Sequence, residues 1–151
     1  MWLFQQYQGL CRWLAFFVDD MLLFIMLNLL FVFIGSGLGG ATRFCIYQLM
    51  SHFNQHSWIA TLLCNMIGSF VISVIISYFL SLSDYPKHIY ALLIIGYLGG
   101  FTTFSTFSLD AIKLYQDNIA MMTVYIIISV FGSLMMCGLG FYVGRIIFGR
   151  F

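Results

Sequence analysis

Charge is almost absent from this chain of 151 residues, and glutamate is missing altogether. Charged residues make up 7% of the sequence, whereas soluble globular domains carry about 25%. The net charge of +1 provides no basic field that nucleic acid could bind. The composition therefore excludes a soluble catalytic domain and a nucleic-acid-binding protein.

Residues that build catalytic and metal centres are also too scattered to form one. The four cysteines show no C-x-x-C spacing, and we interpret them as small apolar packing residues. His52 and His56 share helical spacing, but no carboxylate or cysteine accompanies them, so interfacial histidines are favoured over a zinc site. No nucleophile–base pair is visible, and we predict that the protein is not an enzyme.

Hydrophobic residues make up 62% of the chain and form long continuous runs. Strands of a membrane β-barrel would instead alternate in segments of about 10 residues. Since a helix needs roughly 20 residues to cross a bilayer, the runs predict spans at about 27–47, 58–80, 88–114 and 119–148. The sequence predicts an all-α integral membrane protein, with a four-helix membrane domain at 27–151.

Residues 1–26 are interpreted as an N-terminal extension to that domain. Asp19 and Asp20 interrupt its apolar residues, which argues against a membrane span or a signal peptide. Two alternatives stay open. The extension is either an interfacial amphipathic helix or the product of a mis-assigned start, with Met21 or Met26 as the true one.

The third predicted span carries hydroxyl and aromatic side chains where a lipid-facing helix would be most apolar. Gly99 and Gly100 precede them and predict a break at mid-span. Carbonyls freed by a break inside a membrane could hold a monovalent cation. Phe104 and Phe107 follow the glycines. The edges of their rings carry partial positive charge and would suit an anion, whereas their faces would suit a cation.

The second predicted span has a polar residue at every fourth position: Thr61, Asn65, Ser69, Ser73 and Ser77. Such a stripe is either hydrogen-bonding glue between packed helices or one wall of a hydrated path. Asn65 favours the path, because a side-chain amide in hydrocarbon needs partners. Arg43, in the first span, either snorkels to the headgroups or attracts anions at the pore entrance.

Positive charges barely distinguish the two sides of the membrane. One side would hold Arg12, Lys87, Arg145 and Arg150, and the other would hold Arg43 and Lys113. Orientation normally follows a clear excess of Lys and Arg on the cytoplasmic side. So thin a bias predicts that the chain inserts in either orientation.

Three motifs resemble those of the CrcB/Fluc fluoride channels. Residues 39–44, GGATRF, are similar to the family's first-span G-G-x-x-R, and residues 61–70, TLLCNMIGSF, to its T-L-x-x-N-x-x-G-S-F. Residues 96–108, GYLGGFTTFSTFS, are similar to the highly specific signature G-x-x-G-G-x-T-T-F-S-T-F-S. The resemblance extends over about 27–148 and leaves out the extension.

The resemblance implies a passive fluoride-selective channel in the cell inner membrane that exports fluoride and lowers its toxicity. It implies an antiparallel dual-topology homodimer surrounded by membrane lipid, and it leaves a heterodimer with a paired homologue open. A structural sodium ion would be held by the main-chain carbonyls of Gly99 and Thr102 from both chains. The implied fluoride-binding residues are Asn65, Thr103, Phe104, Ser105, Thr106, Phe107 and Ser108.

Two other functions stay open. A small dual-topology, proton-coupled transporter of the multidrug type would need an intramembrane acid, for which Asp110 is the only candidate. A non-conducting membrane assembly subunit would use small-residue pairs such as Gly35/Gly39 and Gly140/Gly144 for packing. No P-loop motif is present, which disfavours ATP-driven pumping.

Overall fold

The computed structural model describes the backbone of residues 2–149 and the side chains of residues 21–149. It contains no strand among those residues, which confirms the all-helical class. The elements are α1 (Trp2–His52), α2 (Ser57–Ser81), α3 (Lys87–Tyr90), a π-helical segment (Ala91–Leu98), α4 (Gly99–Phe101), α5 (Phe104–Asp117) and α6 (Ile119–Phe148).

Four stretches of helix are long and apolar enough to cross a membrane: Met21–His52, Ser57–Ser81, Lys87–Asp117 and Ile119–Phe148. The predicted number of spans is confirmed, and the protein is a multi-pass membrane protein. Because α1 begins at Trp2, the backbone of the N-terminal extension runs into the first span without a turn. The side chains of residues 1–20, on which an amphipathic face would depend, lie outside the described part.

The first and third spans run side by side in the same direction and touch through glycine. α1 packs along the π-helical segment and α4. A Cβ atom on Gly35 would overlap the carbonyl oxygen of Leu92, and one on Gly39 would overlap that of Tyr97. Small residues allow this close approach of two backbones in a membrane. Gly35 and Gly39 are therefore the positions at which α1 packs closely against the third span of the same chain.

The second and fourth spans form the other close pair. α2 packs along α6, and a Cβ on Gly140 would overlap the carbonyl oxygen of Phe70. A Cβ on Gly144 would meet the side chain of Ser77. This glycine pair therefore allows α6 to pack closely against α2.

The backbone of the third span leaves the helical conformation at Thr102 and Thr103. Thr102 has φ −80° and ψ 156°, and Thr103 has φ −154° and ψ 121°. Gly99 and Gly100, where the sequence predicts the break, are themselves helical. α5 then begins at Phe104 with Thr103 as its N-cap, whose hydroxyl accepts a hydrogen bond from the backbone N–H of Thr106 at 3.2 Å.

Candidate functional site

A cleft of about 480 Å³ opens beside the two extended residues of the third span, between α2, α5 and α6. Five of the predicted site residues line it, namely Asn65, Thr102, Thr103, Phe104 and Phe107. The cleft is mostly apolar and carries a few converging polar groups, which is the usual character of a small-ligand site.

Asn65 binds the extended backbone of Thr103 through both ends of its side-chain amide. Its Oδ1 accepts a hydrogen bond from the N–H of Thr103 at 2.8 Å, and its Nδ2 donates to the carbonyl of Thr103 at 3.0 Å. These two bonds replace helical ones that Thr103 does not make. A primary amide has two N–H donors, so one N–H of Asn65, which lines the cleft, has no partner among the described residues.

Three hydroxyl groups cluster at the start of α5. The Oγ1 of Thr103 lies 3.2 Å from the Oγ of Ser105 and 3.0 Å from the Oγ1 of Thr106. Three hydroxyl protons are therefore available for two contacts inside the cluster. At least one O–H of the three is left to donate outward.

Two other hydroxyls of the predicted set are bonded within their own helix. Thr102 Oγ1 donates to the carbonyl of Leu98 at 2.9 Å, and Ser108 Oγ donates to that of Phe104 at 3.0 Å. A hydroxyl has a single proton to give. Neither Thr102 nor Ser108 can donate to an ion while these bonds persist.

Phe104 and Phe107 lie next to each other but in different environments. Their ring centroids are 5.4 Å apart with the planes tilted by 43°. Phe107 is buried against Tyr125, at 5.3 Å between centroids. The side chain of Phe104 is 78% exposed. The single chain thus leaves the outer side of the cleft uncovered.

The sequence interpretation missed the wall of the cleft that α6 provides. Ser129, Ser133 and Cys137 line it at every fourth position. The hydroxyl of Ser129 is buried and has no hydrogen-bond partner among the described residues. The same four-residue spacing that drew attention to α2 could have identified these residues, had Cys137 been counted with the two serines.

Asp110 lies outside the cleft in a buried hydroxyl network. Its carboxylate, 2% exposed, accepts hydrogen bonds from Thr61 Oγ1 and, at 3.3 Å, from Ser57 Oγ. The hydroxyl of Tyr47 contacts Thr61 in turn. A buried carboxylate must be hydrogen-bonded to be tolerated, and this network joins α5 to α2 and α1.

The family model described as "CrcB-like protein, Camphor Resistance (CrcB)" matches residues 30–141. The chain belongs to the CrcB family. The CrcB match contains the whole cleft and the three sequence motifs, and it begins after the N-terminal extension.

Curated relatives of this CrcB chain carry the name "Fluoride-specific ion channel FluC". The protein of Francisella philomiragia is 40% identical over 121 residues, which are 77% of this chain and 93% of the relative. That of Serratia proteamaculans is 38% identical over 115 residues, 76% and 91% of the two chains. That of Ruminiclostridium cellulolyticum is 36% identical over 123 residues, 81% and 92%.

Five of the predicted residues of the CrcB chain do not line the cleft: Arg43, Gly99, Ser105, Thr106 and Ser108. Arg43 is half-buried on α1. The carbonyl oxygens of Gly99 and Thr102 accept no hydrogen bond among the described residues. This follows from the extended backbone, because the N–H of Thr103 turns to Asn65 instead of to Gly99.

Proposed function

We propose that this protein is a fluoride-selective channel through which the anion passes passively and leaves the cytoplasm. Two findings support fluoride as the conducted ion: the chain belongs to the CrcB family, and its relatives are named as fluoride-specific channels. The observation that carries the proposal is the cleft in which the amide of Asn65, hydroxyl groups and two phenylalanine rings converge.

A selective path must replace the water shell of a small, strongly hydrated anion with fixed donors. The unassigned N–H of Asn65 and the hydroxyl of Ser129 are two such donors beside the cleft. Thr103, Ser105 and Thr106 together supply another. We propose that the edges of the Phe104 and Phe107 rings complete the coordination of the fluoride ion, since ring edges carry partial positive charge.

Thr102 and Ser108 take a different role in this proposal. Because their hydroxyls are bonded to Leu98 and Phe104, we infer that they stabilise the helix ends on either side of the extended residues. Arg43 is proposed to attract anions towards the entrance, since a positive charge raises the local anion concentration. Larger chloride would be excluded by the width of the path.

We propose that two chains assemble antiparallel and that each closes the open cleft of the other. The exposure of Phe104 beside polar groups supports this, because lipid is a poor cover for hydroxyls and amides. The thin charge bias supports insertion in both orientations. In such a dimer the extended residues Thr102 and Thr103 would form a break at mid-membrane.

A structural sodium ion at the centre of the dimer is part of the same proposal. The carbonyl oxygens of Gly99 and Thr102 fit this role, because they have no hydrogen-bond donor among the described residues. Oxygen ligands suit a hard cation, and its charge would satisfy carbonyls that the membrane leaves without water.

Efflux from liposomes tests the proposed function. Purified protein is reconstituted into vesicles loaded with fluoride or with chloride, and valinomycin lets potassium carry the countercharge. We expect rapid fluoride efflux and little chloride efflux, without any imposed proton gradient. Equal rates for the two anions, or no flux from correctly assembled dimer, would contradict the proposal. In the cell inner membrane, a negative interior would drive fluoride outward, by about 2.3 kcal/mol per 100 mV.

Asp110 distinguishes the channel from a proton-coupled transporter. Thr61 and Ser57 donate to different oxygens of the Asp110 carboxylate. Asp110→Asn removes the acid and keeps one of these two acceptors, while the other becomes an NH2 group that can donate to the hydroxyl beside it. We expect fluoride efflux to stay within about tenfold of the unchanged protein, since one neutral hydrogen bond replaces a charge-assisted one. Complete loss of transport, together with dependence of the unchanged protein on a pH gradient, would favour the transporter.

A further inference from the structure

A second cleft lies between α1 and the start of the third span, apart from the proposed fluoride path. Its volume is about 510 Å³, and its lining combines a cation and tyrosines with aliphatic side chains. Lys87 and Phe24 meet at one end, and Ile25, Val32 and Ile95 line the apolar remainder. Lysine and tyrosine at the beginning of a span mark the level of the lipid headgroups.

Lys87 is held at the mouth of this cleft by an aromatic ring. Its Nζ lies 5.4 Å from the centroid of the Phe24 ring. No carboxylate lines the cleft. The position therefore offers one positive charge that an anionic group could neutralise, at a depth where phosphate groups of lipids are found.

We propose that this cleft binds one phosphatidylglycerol molecule. Its phosphate lies at Lys87, and one acyl chain follows Ile25, Val32 and Ile95. The headgroups of phosphatidylethanolamine and phosphatidylcholine would each bring a positive charge beside Lys87, whereas the glycerol headgroup brings none and leaves the lipid with a net negative charge. The neighbouring cleft on α1, lined by side chains such as Leu23, Met26 and Phe33, has no polar side chain and lacks this complementarity.

Native mass spectrometry of the purified full-length protein, titrated with each of the three lipids, tests the proposal. We expect the protein to retain phosphatidylglycerol at least about fivefold better than the other two, as one Lys–phosphate contact near a membrane surface allows. Lys87→Gln should abolish that preference, and Lys87→Arg should keep it. Ile25→Trp, which fills the acyl part of the cleft, should lower retention of phosphatidylglycerol by a similar factor.

Arg145→Gln is the matched control, because it removes one positive charge near the end of α6, away from this cleft. It should leave the preference unchanged. Equal retention of the three lipids, or an equal loss in Arg145→Gln and Lys87→Gln, would overturn the proposal. A disulfide cross-link between Ile25→Cys and a second copy of the chain in membranes would also overturn the proposal, since a partner chain would then occupy the cleft. Fluoride efflux is measured on every variant. If the protein shows the lipid preference but no fluoride efflux, the proposed channel function is contradicted and the proposed lipid site is not.

Discussion

Replacing Asn65 with aspartate is expected to lower fluoride efflux by on the order of a hundredfold or more. The carboxylate can still accept the hydrogen bond from the N–H of Thr103, but it cannot donate to the Thr103 carbonyl or to an anion. It also places a negative charge in the proposed path. At 4 Å, two like charges repel by about 4 kcal/mol even at an effective dielectric constant of 20, which corresponds to about three orders of magnitude in rate.

The measurement is the initial rate of fluoride efflux from liposomes at equal amounts of reconstituted protein. Asn118→Asp is the matched control, since it makes the same chemical change at the N-cap of α6. There the side-chain oxygen accepts from the N–H of Ala120 at 2.8 Å, a bond that aspartate makes equally well. The control should keep its rate within about twofold. If Asn65→Asp conducts fluoride at the rate of the unchanged protein, Asn65 does not line the fluoride path.

The four spans could be predicted because each depends only on its own composition. Runs of apolar residues long enough to cross a bilayer can be recognised in the sequence without knowing which helices they will pack against. The close packing of Gly35 and Gly39 was predictable for the same reason, since small residues four apart form one face of one helix. The partner of that face, the π-helical segment, was not predictable from α1 alone.

The position of the extended residues was missed because it depends on a distant side chain. The glycines are the residues with the weakest helical preference, so local reasoning placed the break at Gly99 and Gly100. The extended residues are instead Thr102 and Thr103, where Asn65 of α2 supplies the hydrogen bonds that the helix gives up. A contact between residues 38 positions apart leaves no mark in the local pattern.

The polar stripe of α2 has three uses, which only the structure separates. Thr61 donates to the buried carboxylate of α5. Asn65 and Ser69 line the cleft. Ser73 lies 2.9 Å from a side chain of α6, and Ser77 donates to the carbonyl of Ser73 within α2 itself. The spacing is the same throughout, and the neighbouring helices determine the use.

Substitution of Gly39 by alanine is expected to prevent stable folding or to lower the melting temperature by about 10 °C or more. The added Cβ would overlap the carbonyl oxygen of Tyr97 and crowd the backbone N–H of Phe101. Both obstacles are backbone atoms, so no side-chain rotation relieves the overlap, and α1 would have to move away from the third span. That shift would also displace α4 and the carbonyls of Gly99 and Thr102.

Gly37→Ala is the matched control, because it lies in the same glycine-rich stretch of α1 and its added Cβ would meet nothing within 4 Å. Alanine favours a helix over glycine by about 1 kcal/mol, so this variant should be at least as stable as the unchanged protein. Stability is measured in detergent as the fraction of protein that still elutes at its original volume in size-exclusion chromatography after heating. If Gly39→Ala and Gly37→Ala have the same melting temperature, the close contact of the first and third spans does not determine the stability of the protein. If only Gly39→Ala fails, the same glycine that brings the helices together also fixes the geometry of the third span on which the proposed path depends.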